Sequence, residues 1–126
     1  MKRDMELIRE LLLAIEAKES NTVFAASDLE LKTDRERQEV YYNLQLMTDA
    51  NLLETNMVKS MQGIEDVVIK RMTWEGHEFL DNARNESIWK AAKETITKKG
   101  LSIENVGFGV LTQLLASVAK QYFELH

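Results

Sequence analysis

The chain has 126 residues, 44% hydrophobic and 29% charged with the signs interleaved, which suits one folded soluble domain and excludes a disordered tail. A formal net charge of −5 argues against coating nucleic acid through bulk charge, but leaves room for a local basic patch. With no cysteine there is no disulfide framework, thiolate zinc site or cysteine nucleophile, as suits a reducing cytoplasm.

The opening MKRDMELIRELLLAIEAKE has a basic tip and a leucine run, yet Asp4, Glu6, Glu10 and Glu16 interrupt it. It therefore reads as a helix over 4–18 rather than a signal peptide, with Met5, Ile8, Leu11, Leu12 and Ile15 on one stripe and charges on the other side. No window of the chain approaches the roughly 18 apolar residues of a membrane span. Residues 21–26 are β-leaning at Thr22, Val23 and Phe24, and 27–33 form a polar connector ending in a capping residue, Thr33 or Asp34.

Residues 34–53, DRERQEVYYNLQLMTDANLL, organise the rest of the chain. Val40, Leu44, Met47 and Asn51 recur at helical steps and predict a narrow buried face, while Arg35, Gln38, Tyr42, Gln45 and Asp49 fall opposite. Asn51 ends the helix, because asparagine tolerates the left-handed conformation of a helix C-terminus. Extended runs over 52–58 and 66–72 bracket the turn-like KSMQG, 59–63, and predict a β-hairpin. Thr73 caps a helix with Trp74, Phe79, Leu80 and Ala83 on its apolar side, and Gly76 in its first turn implies close approach of another backbone, that of the first helix.

Asn85 caps a further helix over 86–99, carrying Ile88, Trp89, Ala92 and Ile96, with Lys98, Lys99 and Gly100 marking its end. The last helix, about 107–124, places Phe108, Leu111, Leu115, Val118, Tyr122 and Leu125 in heptad rhythm, broadened by Val110, Leu114, Ala119 and Phe123. That belt is wider than one neighbour needs, so a homodimer built on Phe108, Leu111, Leu115, Val118 and Tyr122 is expected.

The segments QEVYYNLQLMTDANLL and RMTWEGHEFLDNARNESIW, with the opening MKRDMELIRELLLAIE and the C-terminal helix, resemble the bacterial and phage family catalogued as domain of unknown function 2513. Residues 72–76, with Thr73 and Gly76 in place, are also similar to the end of the wing in MarR-type and PadR-type repressors. Asn43 stands where the family usually has histidine, and Asn51 where it usually has glycine. The resemblance implies a winged-helix fold and an association with phages or prophages, and no particular activity.

Catalytic chemistry finds no support: there is no nucleophile motif and no glycine-rich phosphate loop, and VGFG at 106–109 is better read as a helix entry. His77 and Asp81 stand four apart near Glu75 and Glu78, but without a second ligand cluster they read as a solvated face, and His126 as a mobile end. No enzyme activity, cofactor or metal is expected. Trp74 and Trp89 read as core anchors rather than stacking platforms. The organising helix sets two cations against four acids and the hairpin three against three, whereas 84–99 has five cations against two acids and reads as a phosphate-contacting flank or a solvated face, the second being slightly favoured.

The expected fold is mainly α (α+β): a winged helix–turn–helix core over 1–83, with a helical extension over 84–126 packed on it. The expected function is sequence-specific binding of double-stranded DNA by a cytoplasmic phage or prophage regulator. The alternative is a protein-interaction module, or an inhibitor, that docks on a host or phage protein. Either partner would meet Arg35, Gln38, Tyr42, Gln45, Lys59, Lys70 and Arg71. Tyr42 either reads that partner or is covered by the wing.

Overall fold

The computed structural model describes residues 2–18 and 22–125. Among these are five α-helices and a three-stranded antiparallel sheet, so the chain is of mixed α+β class. The chain divides into two compact units, residues 1–77 and 78–126, and the boundary falls within the third helix.

The first unit begins with α1, Met5–Lys18. Asp4 starts it, its carboxylate accepting the Leu7 N–H at 3.0 Å, which satisfies a donor that a helix N-terminus leaves open. The expected stripe is buried, joined by Leu7 and also by Arg9, so the charged side is not wholly in water. The first strand is shorter than expected: β1 is Phe24–Ala25, a 3-10 turn follows at Ala26–Asp28, and Asn21 lies outside the described residues.

Helix α2, Arg37–Asp49, is also shorter than the sequence pattern. Asp34, Arg35 and Glu36 precede it, and the N-cap is Glu36, without a side-chain cap bond. Thr33 does not cap α2, because Glu10 of α1 accepts its hydroxyl at 2.6 Å and the Lys32 N–H at 2.6 Å. The buried face is Val40, Tyr41, Asn43, Leu44 and Met47. Asn51 is exposed, contrary to its place in the predicted stripe, since the helix has already ended. It stands at φ 64, and the Asn51 and Leu52 N–H groups return to the carbonyls of Thr48 (3.0 Å) and Met47 (2.9 Å). That is a Schellman closure, with asparagine where glycine is usual.

Strands β2, Leu53–Ser60, and β3, Gly63–Met72, are longer than predicted, because Lys59 and Ser60 pair in the ladder and only Met61 and Gln62 turn. Strand order is β1-β3-β2, with Phe24 opposite Ile69 and Ala25 opposite Val68. Glu54 faces Arg71 and Thr55 faces Ile69, which leaves Lys70 as an extra, bulged residue. The bulge explains why Lys70 and Arg71 are consecutively exposed while Val67, Ile69 and Met72 are buried.

Helix α3, Trp74–Ala83, begins at Thr73, whose hydroxyl accepts the Gly76 N–H at 3.0 Å and donates to the Asn51 carbonyl. The Thr73 N–H donates to the Leu52 carbonyl at 3.0 Å. A Cβ on Gly76 would overlap that Leu52 oxygen and lie 2.7 Å from Met72 Cγ. The backbone that requires Gly76 is thus the α2–β2 junction rather than α1. Trp74 is 73% exposed and is no core anchor, because the first turn of α3 turns it away from the buried Phe79, Leu80 and Ala83.

In the second unit, Asn85 caps α4, Glu86–Lys98, accepting the N–H groups of Ser87 (2.8 Å) and Ile88 (3.1 Å). Ile88, Trp89, Ala92 and Ile96 are buried, and Gly100 closes the helix at φ 78. A 3-10 turn, Ile103–Asn105, leads to α5, Phe108–Leu125. The deepest positions of α5 are Leu111, Leu115 and Ala119, every fourth residue rather than a heptad seam. Phe108, Val118 and Tyr122 are half-buried, Val110 and Phe123 are exposed, and the Leu125 side chain lies outside the described residues, as does His126. Phe108 packs on Phe79 with ring centroids 5.0 Å apart.

Candidate nucleic-acid interface

The predicted contact residues all fall in the first unit, on or beside α2 and the β2–β3 hairpin. Tyr42 and Gln45, half-buried, lie on the α2 side away from Val40, Leu44 and Met47. Arg37, in the first helical turn, is exposed on the same element but, at helical steps of three, four and seven from Val40, Tyr41 and Leu44, it stands on the side of the buried stripe and not with Tyr42 and Gln45. Lys59 and Lys70 are exposed on β2 and β3.

Three of the predicted residues are occupied within the chain. Arg35 bonds to the carboxylates of Asp4 and, at 2.7 Å, Glu39. Those two hydrogen bonds, donated by the guanidinium to Asp4 first and Glu39 second, raise its already high pKa, so it is a fixed cation joining the start of α1 to the start of α2. Burial works to raise the Asp4 carboxyl, but hydrogen bonds from Arg35 and the Leu7 N–H, with the charge of Arg35, hold it below its ordinary value. Gln38 donates to the Ile64 carbonyl at 3.1 Å and so pins the first turn of α2 to the hairpin. Arg71 pairs with Glu54 at 2.6 Å across the strands, with both side chains at least half exposed.

Two polar anchors under this face escape sequence reading. Asn43 is fully buried; its carbonyl oxygen accepts the Asp4 N–H at 2.8 Å and its amide donates to the Glu39 carbonyl at 3.0 Å. Asp66 accepts the Ser27 hydroxyl at 2.9 Å and the Val67 N–H at 2.8 Å, and bonds Tyr41. Burial pushes the Tyr41 phenol up, and the Asp66 charge adds to it. For Asn43 the signal is a polar residue at a helical position, between Val40 and Met47, that pattern would make apolar; Asp66 alternates with the buried Val67 and Ile69 and carries no such signal.

At the hairpin tip Met61 is fully exposed, flanked by Ser60, whose hydroxyl donates to Glu65 at 2.6 Å. The cations of 84–99 lie in the second unit, on α4 and its ends, where Arg84 pairs with Asp81 at 3.1 Å. Among the described residues no group of three or more His, Cys, Asp or Glu side chains could hold a metal ion, and no helix is long and apolar enough to cross a membrane.

The sequence pattern of the family described as "Hypothetical protein (DUF2513)" matches residues 2–102. An "Uncharacterized protein" of Haemophilus influenzae (strain ATCC 51907 / DSM 11121 / KW20 / Rd) is 32% identical over 121 residues, covering 92% of this chain and all of the relative. No solved structure matches the chain.

Proposed function

The chain belongs to the DUF2513 family of hypothetical proteins, and for this member we propose a winged-helix protein that binds double-stranded DNA, acting in the cytoplasm as a phage or prophage regulator. The observation that carries the reading is topological. A helix, a short strand, a turn, a second helix and a hairpin follow in order, the sheet order is β1-β3-β2, and α2 runs directly into the hairpin. That order supports a winged-helix reading, in which the 3-10 turn Ala26–Asp28 would stand for the first helix of the helix–turn–helix. Tyr42 and Gln45 would meet base edges and backbone, and Lys59 and Lys70 phosphates. Arg35, Gln38 and Arg71 would act by holding α2 and the hairpin in position. A homodimer through the C-terminal half of α5, where Val118 and Tyr122 are half-buried and Phe123 is 69% exposed, would present two such faces to a palindromic site.

A second reading is favoured by charge. The first unit holds 10 Lys and Arg against 15 Asp and Glu, the whole −5 of the chain, while the second is neutral with six of each. An acidic winged helix suits a protein partner better than a polyanion. Gel-shift and pull-down assays on the same variants separate the readings. Tyr42→Ala and Lys70→Ala should weaken a salt-dependent DNA complex; loss of a captured protein with no DNA complex at any salt would establish the second reading.

A further inference from the structure

The second unit carries an open groove of about 370 Å³ between the C-terminal half of α4 and the first turns of α5. Ile96, Val106 and Leu114 line it, Leu101 and Val110 stand at 48% and 61% exposure, and Lys99 adds the only charge among the lining residues. Its size is at the lower end of small-molecule sites, which are mostly apolar with a few polar groups that fix orientation. From Phe108 to Ala119 the wall helix has no charged residue, and its first turn has no acid.

We propose that this groove binds a free, single-chain aliphatic carboxylate of medium length, with its tail along Ile96, Val110 and Leu114 and its head group at Lys99. The occupant follows from three features. The lining would be dried by a hydrocarbon chain and offers such a chain few hydrogen-bonding groups to desolvate. The one lining charge is positive, followed by Gly100 and preceded by Lys98, so an anionic head group is favoured over a cationic one. A second copy seated on the groove alone is a poorer occupant: a stable interface needs about 800 Å² per partner, Leu101 and Val110 supply far less, and the dimer proposed above uses Val118, Tyr122 and Phe123 at the other end of α5. The inference is independent of whether α2 reads DNA, because every residue it uses lies in the second unit.

The test is titration of the full-length protein with decanoate, below its micellar concentration, followed by calorimetry and by methyl NMR of Ile, Val and Leu. One saturable site is expected, with the largest shifts at Ile96, Val110 and Leu114. Val110→Asp should abolish saturable binding while circular dichroism stays unchanged. Lys99→Gln should weaken decanoate roughly three- to fivefold, the scale of an exposed ion pair, and leave decanol unaffected. The proposal is overturned by the absence of a saturable site, by shifts that map elsewhere, or by equal binding of decanoate, decanol and decylammonium. It is equally overturned if vesicles of anionic lipid shift these methyls and monomeric decanoate does not, or if Val110→Asp dissociates a dimer in sedimentation, since a membrane or a second copy would then be the occupant.

Discussion

Gly76 shows how much a single position can fix. Its hydrogen stands where a methyl would meet the Leu52 carbonyl oxygen and Met72 Cγ, both belonging to the closure that ends α2 and starts α3. Gly76→Ala should therefore destabilise, despite the better helix propensity of alanine, by about 1–3 kcal/mol of overpacking, read as a lower thermal midpoint. Arg35 is a second such position. Arg35→Ala removes the partner of two partly buried carboxylates and should cost about 1–2 kcal/mol, although the sequence pattern alone would place it on a free polar face. The same cluster sets a pH dependence. Asp4 titrates below its ordinary value of 3.8 in the folded protein, so the unfolded chain takes up the proton first as the pH falls. The stability it contributes is complete above that ordinary value and is lost as the pH falls through the native one. Asp4→Asn should flatten the acid limb of a stability–pH curve below about pH 5, measured by urea unfolding; an unchanged limb would put the dependence on Glu10 and Asp66, whose carboxyls are also lowered.

Among the elements, those with a single buried face are legible in the sequence and those set by long-range polar contacts are not. The stripe of α1, the caps of α4 and the end of α2 follow from side-chain spacing, an asparagine N-cap and a residue that accepts positive φ. The start of α2 escapes local pattern because residues 32–35 are held by Glu10 and Asp4, more than 20 positions away in sequence, and no local propensity reports that. The hairpin exceeds its sequence signal at the tip, where Lys59 pairs with Ile64 and Ser60 with Gly63 although the KSMQG composition reads as a turn, so that only Met61 and Gln62 remain outside the ladder. Trp74 reads as core because helical spacing alone does not tell a first-turn residue from one on the packed side. For α5, the seam of Leu111, Leu115 and Ala119 is already buried in the monomer, so the predicted dimer would have to rest on the helix end. Phe123→Ser should then shift a dimer toward monomer in sedimentation velocity without lowering the thermal midpoint of the monomer; a wild-type monomer at micromolar concentration would remove the palindromic-site geometry.

At the scale of the whole molecule, the uneven charge decides which partner the α2–hairpin face suits. All of the net −5 belongs to the first unit, and the exposed acids Glu36, Asp49 and Glu65 lie on the same elements as Arg37, Tyr42, Gln45 and Lys59, or next to them. A DNA duplex would feel these acids as repulsion that grows as salt is diluted, because screening falls away below physiological ionic strength. A protein partner with a basic surface would feel them as attraction. Neutralising Glu36 and Asp49 together, as Glu36→Gln with Asp49→Asn, therefore has opposite consequences in the two cases. If the face reads DNA, the double variant should bind the duplex more tightly by about two- to fivefold, and by more at low salt than at high. If it docks on a protein, the same variant should slow association with that partner and leave DNA unbound. Neither side chain is buried, so the folded state should be little changed, and thermal unfolding provides the control. A double variant that binds DNA no better than wild type, at low salt and at high, would count against α2 as a DNA-reading helix even if the chain retained some affinity for nucleic acid. The basic α4 helix of the second unit, with Lys90 and Lys98 exposed and Lys93 half-buried, would then become the surface to mutate next.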